Sequence, residues 1–321
     1  MRGIVISLLM YFILGGSGYV YASLFDKPYE IIVGWPVGSS SDIMVRAIAP
    51  ELEKQFNGRK VIVINKPGAG GALGISDVKR VKPDGFTLFQ TGTNVFAQLP
   101  WTREVPFHPI NDFTYVAQHV SSRHYLISRK EMPWNDFNEL VAYVKQNPNK
   151  VRYATTGTGS TQHVMMEYIA KKEGLSWTHV PYNSGAEAYM AVIGSGVHLA
   201  AITIGPEVQY VKAGMAIPLI YFNMKKSPYF EIPTIGDKGY KFECSSSAVW
   251  AVPKQTPTVK VRILESALLS AFSKAIVQDV FTRVNFLYDP AGSFEVNNRI
   301  AKEYKEFGEI MKECKLGIFS E

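Results

Sequence analysis

Strand-like and helix-like segments alternate through most of the chain, and that alternation limits the fold more than any other feature. Tyr29–Gly34 holds Ile31, Ile32 and Val33 in an unbroken run, as in a strand buried on both faces. Ile43–Phe56 then places Ile43, Ala47, Ile48 and Leu52 at helical spacing. Val61–Ile64 is another β-branched run, and Phe86–Gln90 follows the turn Pro83-Asp84-Gly85. The second half repeats this logic. Val151–Ala154, Thr178–Pro181, Leu199–Ile204 and Ile217–Phe222 read as strands, and Gln162–Lys172 and Ala186–Ile193 as helices. Val259–Ser273 and Glu295–Lys315 are amphipathic helices. This order predicts an α/β fold with a mostly parallel sheet. A length of 321 residues suggests two domains. No low-complexity linker separates the halves, which suits lobes joined by crossing strands.

The N-terminus stands apart. Arg2 is the only charged side chain in the first 22 residues. Ile4–Leu14 is apolar except for Ser7, and Gly15, Gly16, Ser17 and Gly18 break the run. Val20-Tyr21-Ala22 supplies the exit. A positive start, a short apolar core and a small-residue exit predict a cleaved secretory signal over residues 1–22. The run is too short for a bilayer span, which needs about 20 apolar residues.

A secreted chain meets an oxidising compartment, where Cys244 and Cys314 could pair or remain free thiols. No CxxC or HxxxH spacing points to a metal site. The net charge is +6, but the basic residues are scattered and often sit beside acids, as in Lys302, Glu303, Lys305 and Glu306. There is no dense basic run and no aromatic-interleaved basic stripe, so nucleic-acid binding is not expected.

Two segments share one design. Trp35-Pro36-Val37-Gly38-Ser39-Ser40-Ser41-Asp42 lies between a strand and a helix. Ser or Asp at a helix start caps orphan N–H groups, and those N–H groups with the helix dipole favour an anion. Thr155-Thr156-Gly157-Thr158-Gly159-Ser160-Thr161-Gln162-His163 repeats the strand, loop, helix order. Alone it could pass for a phosphate loop, but no Lys-Ser or Lys-Thr follows its glycines, so it is not a Walker motif. His163 falls in the first helical turn, where a neutral capping or packing role is favoured over a catalytic base. Gly68-Ala69-Gly70-Gly71-Ala72-Leu73 misses a dinucleotide fingerprint, because Leu73 stands where the third glycine belongs. A tight turn leading into a helix is the better reading. No GxSxG elbow occurs, and nothing in the sequence favours a catalytic triad.

These segments in this order resemble the tripartite tricarboxylate transporter receptors, or Bug-type periplasmic solute-binding proteins. The resemblance runs through Ile32–Gly38 with Asp42 and Arg46, then Asn65–Gly71, Pro83–Leu88, Asp112-Phe113, Tyr153–Ser160 with His163, and His179–Tyr182. It implies a type II periplasmic binding protein fold, with two α/β lobes joined by crossing strands and a ligand cleft between them. Residues 23–122 with 247–321 would form one lobe and 123–246 the other. It implies a monomeric receptor, not an enzyme, without cofactor or metal. The receptor would capture a small organic carboxylate and deliver it to a two-subunit membrane permease. A ligand sensor and, further off, a hydrolase are the alternative roles. Carried over by position, the lobe-one contacts are Trp35, Gly38, Ser39, Ser40, Ser41 and Asp42. The lobe-two contacts are Thr155, Thr156, Gly157, Gly159, Ser160, Thr161 and His163. Thr93, Tyr182 and Asn183 are further candidates. The family usually has a second glycine at the position of Ser39, so this loop gains hydroxyls and loses backbone freedom.

Overall fold

The structure is a computed structural model that describes residues 27–320, apart from 206, 207, 227, 228 and 245. The leader expected over residues 1–22 lies outside the described residues. The chain first lays down β1 (Tyr29–Val33), α1 (Ser40–Gln55), β2 (Val61–Asn65), α2 (Ala72–Arg80) and β3 (Thr87–Gly92). Two short helices, α3 (Thr93–Ala97) and α4 (Leu99–Thr102), lead to β4 (Phe113–Ser122). The chain then crosses into a second sheet through β5 (His124–Arg129), α5 (Phe137–Gln146), β6 (Arg152–Thr155) and α6 (Thr161–Glu173). There follow β7 (Thr178–Pro181), α7 (Gly185–Ile193), β8 (Leu199–Thr203), α8 (Val208–Lys212) and β9 (Ala216–Tyr221). It returns as β10 (Ser246–Pro253), α9 (Thr258–Phe272), α10 (Ala275–Arg283), β11 (Leu287–Gly292) and α11 (Ser293–Glu313).

The six-stranded sheet has the order β11-β4-β10-β3-β1-β2, and the five-stranded sheet β7-β6-β8-β5-β9. β1 pairs in parallel with β2 and β3, as β6 does with β7 and β8. β10 runs against β3 and β4, β11 against β4, and β5 against β8 and β9. Both sheets are therefore mixed, which corrects the expectation of a mostly parallel sheet. The crossing is the cause. β4 leads out of the first sheet and β10 re-enters beside it, so the two must run in opposite directions.

Alternation along each strand builds a core on both faces of each sheet. Ile31 and Val33 of β1 face Met44, Val45, Ile48 and Leu52 of α1, with Leu264 and Leu268 of α9. Ile32, one residue out of phase, faces Ile75 and Val78 of α2 and Val296 and Ile300 of α11. In the second lobe Leu126 and Tyr153 pack with α5 and α6, while Tyr125, Ile127 and Ala154 pack with Ala188, Tyr189 and Val192 of α7. Each of these large apolar side chains contributes about 1.5–3 kcal/mol by leaving water.

Helix α11 ties the lobes together. Its first turns lie in the first lobe's core through Val296 and Ile300. Its last turns place Phe307, Ile310 and Met311 in the second lobe's core. Trp101 of α4 lies on this helix at Gly308, where an added Cβ would come within 2.6 Å of the indole. Trp101 also donates its Nε1–H to the Tyr304 carbonyl at 2.8 Å and stacks on Phe319. Cys244 and Cys314 are both free thiols. Among the described residues, no helix is long and apolar enough to cross a membrane.

Candidate ligand-binding cleft

β1, β3 and β6 end at one cavity of about 430 Å³ between the lobes. Its walls are the segments immediately after those strands: Trp35 after β1, Asn94 to Arg103 after β3, and Thr156 to His163 after β6. Ligands of open α/β sheets sit at such carboxyl ends. The lobes touch between two of its lining residues, where the Thr161 hydroxyl donates to Oε1 of Gln98. A Cβ on Gly159 would lie 3.6 Å from the Thr102 methyl across the gap, so the walls stand close there.

The two loops are built alike. Gly38 has φ +81° and Gly159 φ +77°, a left-handed conformation that suits glycine. The N-cap Ser39 accepts the Asp42 N–H on its hydroxyl at 3.3 Å, and the N-cap Ser160 accepts the His163 N–H at 3.2 Å. Each helix then reaches back with its third residue. Gly38 N–H donates to Asp42 Oδ2 at 2.9 Å, and Gly159 N–H donates to His163 Nδ1 at 3.2 Å.

In the first lobe this arrangement uses up the carboxylate. Asp42 is buried and also accepts from Arg46 Nε at 2.8 Å and Asn65 Nδ2 at 2.9 Å. Asn65 holds the loop from behind, donating to the Trp35 carbonyl at 3.0 Å. Burial pushes Asp42 upward in pKa, but the Gly38 N–H, Asn65 and Arg46 outweigh it and hold the carboxyl below its ordinary value. Of the lobe-one residues expected at the ligand, Trp35 lines the cavity. Gly38 and Asp42 bond to each other, Asp42 placing its carboxylate in the first turn at the positive end of α1. Ser39 is the cap, and Ser40 and Ser41 open α1 outside the cavity wall.

In the second lobe the acceptor is neutral. Nδ1 of His163 takes a backbone N–H, so the proton sits on Nε2. Burial lowers the pKa of His163, with Glu167 opposing in part. His179 lies with its ring centroid 4.1 Å from that of His163, and burial with the His163 neighbour pushes it down to about 4. Thr156, Gly159, Ser160, Thr161 and His163 all line the cavity. Thr155 does not: it is fully buried, with its hydroxyl 2.7 Å from His179 Nε2 and bonded to the Gly157 carbonyl. A hydroxyl beside an imidazole has the composition of a nucleophile and base, but this one is sealed inside the lobe. Gly157, at φ +118°, turns the loop behind the wall. Thr93 is buried and its hydroxyl accepts the Ser247 N–H at 3.1 Å, tying α3 to β10. Tyr182 continues the β6–β7 pairing through its N–H to the Thr155 carbonyl, and Asn183 is exposed and donates its N–H to Glu187. Neither reaches the cavity.

Sequence reasoning missed the α3–α4 wall, with Asn94, Gln98, Thr102 and Arg103, and the C-terminal Leu316 and Gly317. The signal for the first was available: the wall follows the carboxyl end of the parallel strand β3. The second lies far away in sequence and has no motif. Among the described residues, no cluster of His, Cys, Asp and Glu could hold a metal ion.

The sequence profile of the tripartite tricarboxylate transporter family receptor matches residues 44–316. The chain belongs to that family. A UPF0065 protein encoded in the gbd 5′ region of Cupriavidus necator is 32% identical over 77% of this chain and 75% of its own length. A Polaromonas TctC solute-binding protein solved without ligand superposes with a TM-score of 0.82 at 26% identity, covering 89% of this chain and 98% of that one. Two Rhodopseudomonas palustris proteins share the fold at 22% identity, one solved with adipate and one with malate, with TM-scores of 0.72 and 0.67. These two cover 90% and 88% of this receptor and 98% of their own chains.

Proposed function

We propose that this receptor captures a small carboxylate-bearing solute in the cavity and delivers it to a two-subunit membrane permease, acting as a secreted monomer in the periplasm. The observation that carries the reading is the start of α6. Its N-cap loop faces the cavity with the hydroxyls of Thr156, Thr158, Ser160 and Thr161, and its reach-back acceptor is an uncharged imidazole. The positive end of the helix is therefore left for a ligand's negative charge. Neutral donors hold a carboxylate firmly once the cleft excludes water, and release it when the lobes part. The solute favours closure by touching both walls, which is a shift between two preexisting arrangements. On this reading residues 1–22 are a cleaved signal, and the bodies that close are 23–122 with 247–321 and 123–246. The last turns of α11 ride with the second lobe. Adipate and malate in the two fold relatives agree with a carboxylate ligand.

A thermal-shift screen of the mature chain against organic acids, their amides and their esters tests this. An acid at 100 times its dissociation constant should add about 2.7 kcal/mol of stability. Ester turnover with no unreactive stabilising acid would contradict the receptor role. Loss of uptake of that acid in cells lacking the chain would support delivery to a permease.

A further inference from the structure

A second cavity, of about 200 Å³, opens where the chain crosses between the lobes, and it shares no lining residue with the ligand cleft. Arg123 lines it and is the single residue between β4 and β5, so it stands on a crossing. Among the described residues it is the one lysine or arginine that is buried, at 9% exposure. Its Nη1 donates to Ser121 Oγ at 2.7 Å and to the Ser122 carbonyl at 3.4 Å, while its Nε is sealed from solvent without an acceptor. Carboxylates flank it from both lobes. Asp289 belongs to β11 of the first sheet, and Glu243 lies between Phe242 and Cys244, both in the second lobe's core. Burial lowers the pKa of Arg123, Asp289 and then Glu243 oppose that, and Arg299 adds to it. Each flanking carboxylate is engaged elsewhere. Asp289 Oδ1 meets Lys225 Nζ at 3.7 Å, and Glu243 Oε2 accepts the Met224 N–H at 2.8 Å. Lys225 follows β9, so the Lys225–Asp289 pair runs from the second lobe to the first. The lining holds three cations and three carboxylates, so the imbalance is local to Arg123 and calls for no ion from solution. The crossings are also tied to the ligand cleft: Ser122 Oγ donates to the Ser246 carbonyl at 2.8 Å, and Ser246 Oγ to Oδ1 of the cleft-lining Asn94 at 3.2 Å.

We infer that Asp289 is handed between two cations as the lobes rotate: Lys225 holds it in the arrangement described, and Arg123 takes it when rotation draws Lys225 away. The inference rests on the receptor reading, in which lobe closure holds the solute, and adds a device that sets how readily the lobes move. A cross-lobe pair made by an exposed lysine is weak, so it yields easily. Arg123 sits at the pivot and keeps its distance to Asp289, whereas Lys225 is carried on the moving lobe. Without Arg123, the departure of Lys225 would strand a partly buried carboxylate; with it, the pairing lost on one side is regained at the pivot. A buried guanidinium left unpaired in one arrangement is thereby paired in the other. Neither arrangement is locked, and the balance between them is set by residues that line no part of the ligand cleft.

The test is a pulsed electron-spin distance measurement on the ligand-free mature chain. Spin labels go on the exposed positions Arg80→Cys in the first lobe and Lys150→Cys in the second, with Cys314→Ser leaving only the fully buried Cys244. Lys225→Met should move the population ratio of the two interlobe distances about two- to fivefold away from the described arrangement. Arg123→Met should move it toward that arrangement, and Arg123→Lys, which keeps the charge, should stay nearer to wild type. In an Asp289→Asn background Lys225→Met should shift nothing, since its partner is gone. The Lys225 side chain is 76% exposed, so Lys225→Met folds whether or not Arg123→Met does. Shifts of the same sign in Lys225→Met and Arg123→Met, a Lys225→Met shift that persists in Asp289→Asn, or a single distance unmoved by every variant would overturn the inference. With no ligand present, each of these results leaves the receptor reading standing; that reading fails instead if no acid stabilises the chain in the thermal-shift screen.

Discussion

Asp42 and His163 occupy the same position in two copies of one loop, each accepting the N–H of the glycine just before its N-cap serine, at 2.9 Å from Gly38 and 3.2 Å from Gly159. The same reach-back recurs away from the cleft, where Glu139 accepts the Asn135 N–H and Glu187 the Asn183 N–H. In those copies the acceptor is a carboxylate, as it is in Asp42. His163 is the neutral exception, and among these four acceptors it is the one that itself lines the cavity together with its N-cap serine. A carboxylate there would meet the helix's positive end from inside the protein and repel an incoming acid.

That relationship predicts an asymmetric pair of variants. His163→Glu should retain the loop, because a carboxylate serves the reach-back at Glu139 and Glu187. It should nonetheless lower acid affinity by about tenfold or more through like-charge repulsion. His163→Gln, which can still accept the Gly159 N–H, should bind within a few-fold of wild type. Equal binding by His163→Glu and His163→Gln, measured by calorimetry, would contradict the charge argument.

Asp42 is a scaffold residue on this account. Asp42→Ala leaves the Gly38 N–H, Asn65 and Arg46 without their shared acceptor. Losing charge-assisted hydrogen bonds at a buried position costs about 2–4 kcal/mol, read as a lower urea midpoint. A change within about 0.5 kcal/mol would show that the loop does not depend on it.

Gly308 reverses the usual helix rule. Glycine to alanine inside a helix normally stabilises by about 0.5–1 kcal/mol. Here the new Cβ would come within 2.6 Å of the Trp101 indole. Overpacking of that kind costs about 1–3 kcal/mol, so Gly308→Ala should destabilise on balance. Gly308→Ala in a Trp101→Leu background should recover the ordinary gain.

Acid should weaken the fold before its carboxylates titrate. Burial pushes His119 down to about 3 and His124 to about 4, and burial with the His163 neighbour pushes His179 to about 4. An unfolded histidine titrates at about 6.5, so below that pH the unfolded chain binds more protons than the folded one. The stabilisation is complete above about pH 6.5 and is lost as pH falls toward the folded values. Thermal melts should drop by several degrees between about pH 7.5 and about pH 5. A flat or rising profile would mean that these imidazoles are charged in the fold.

Much of this architecture is legible in the sequence because period sets burial. β1, β2, β7 and α6 follow directly from β-branched runs and helical spacing. β4 and β10 do not, since β4 carries Gln118, His119, Ser121 and Ser122 into the interior, where they read as loop polarity. Their partners come from distant segments: His119 accepts Trp250 Nε1–H at 3.1 Å, and Gln118 donates to the Asp289 carbonyl at 2.7 Å. The same limit applies to the cleft. The α6 loop announces itself by hydroxyls and glycines in a row. The facing wall is assembled from Gln98, Thr102, Arg103 and Leu316, which only the crossing strands and α11 bring together. Asp42 is the opposite case: its motif is plain in the sequence, and the bonds it makes in the structure are to Gly38, Arg46 and Asn65 of its own lobe.

The most direct test of the account is the affinity of the stabilising acid for Gly159→Trp. Gly159 lines the cavity 3.6 Å short of Thr102, measured from where its Cβ would be, so an indole there would fill the space between the walls. Gly38→Trp serves as the control, because a Cβ on Gly38 meets nothing within 4 Å and Gly38 lies outside the cavity wall. Both substitutions place a side chain at a left-handed glycine, φ +81° at Gly38 and +77° at Gly159, so backbone strain is common to the two. Calorimetry should find binding abolished in Gly159→Trp and retained in Gly38→Trp. Undiminished affinity in Gly159→Trp would place the ligand elsewhere and contradict the account.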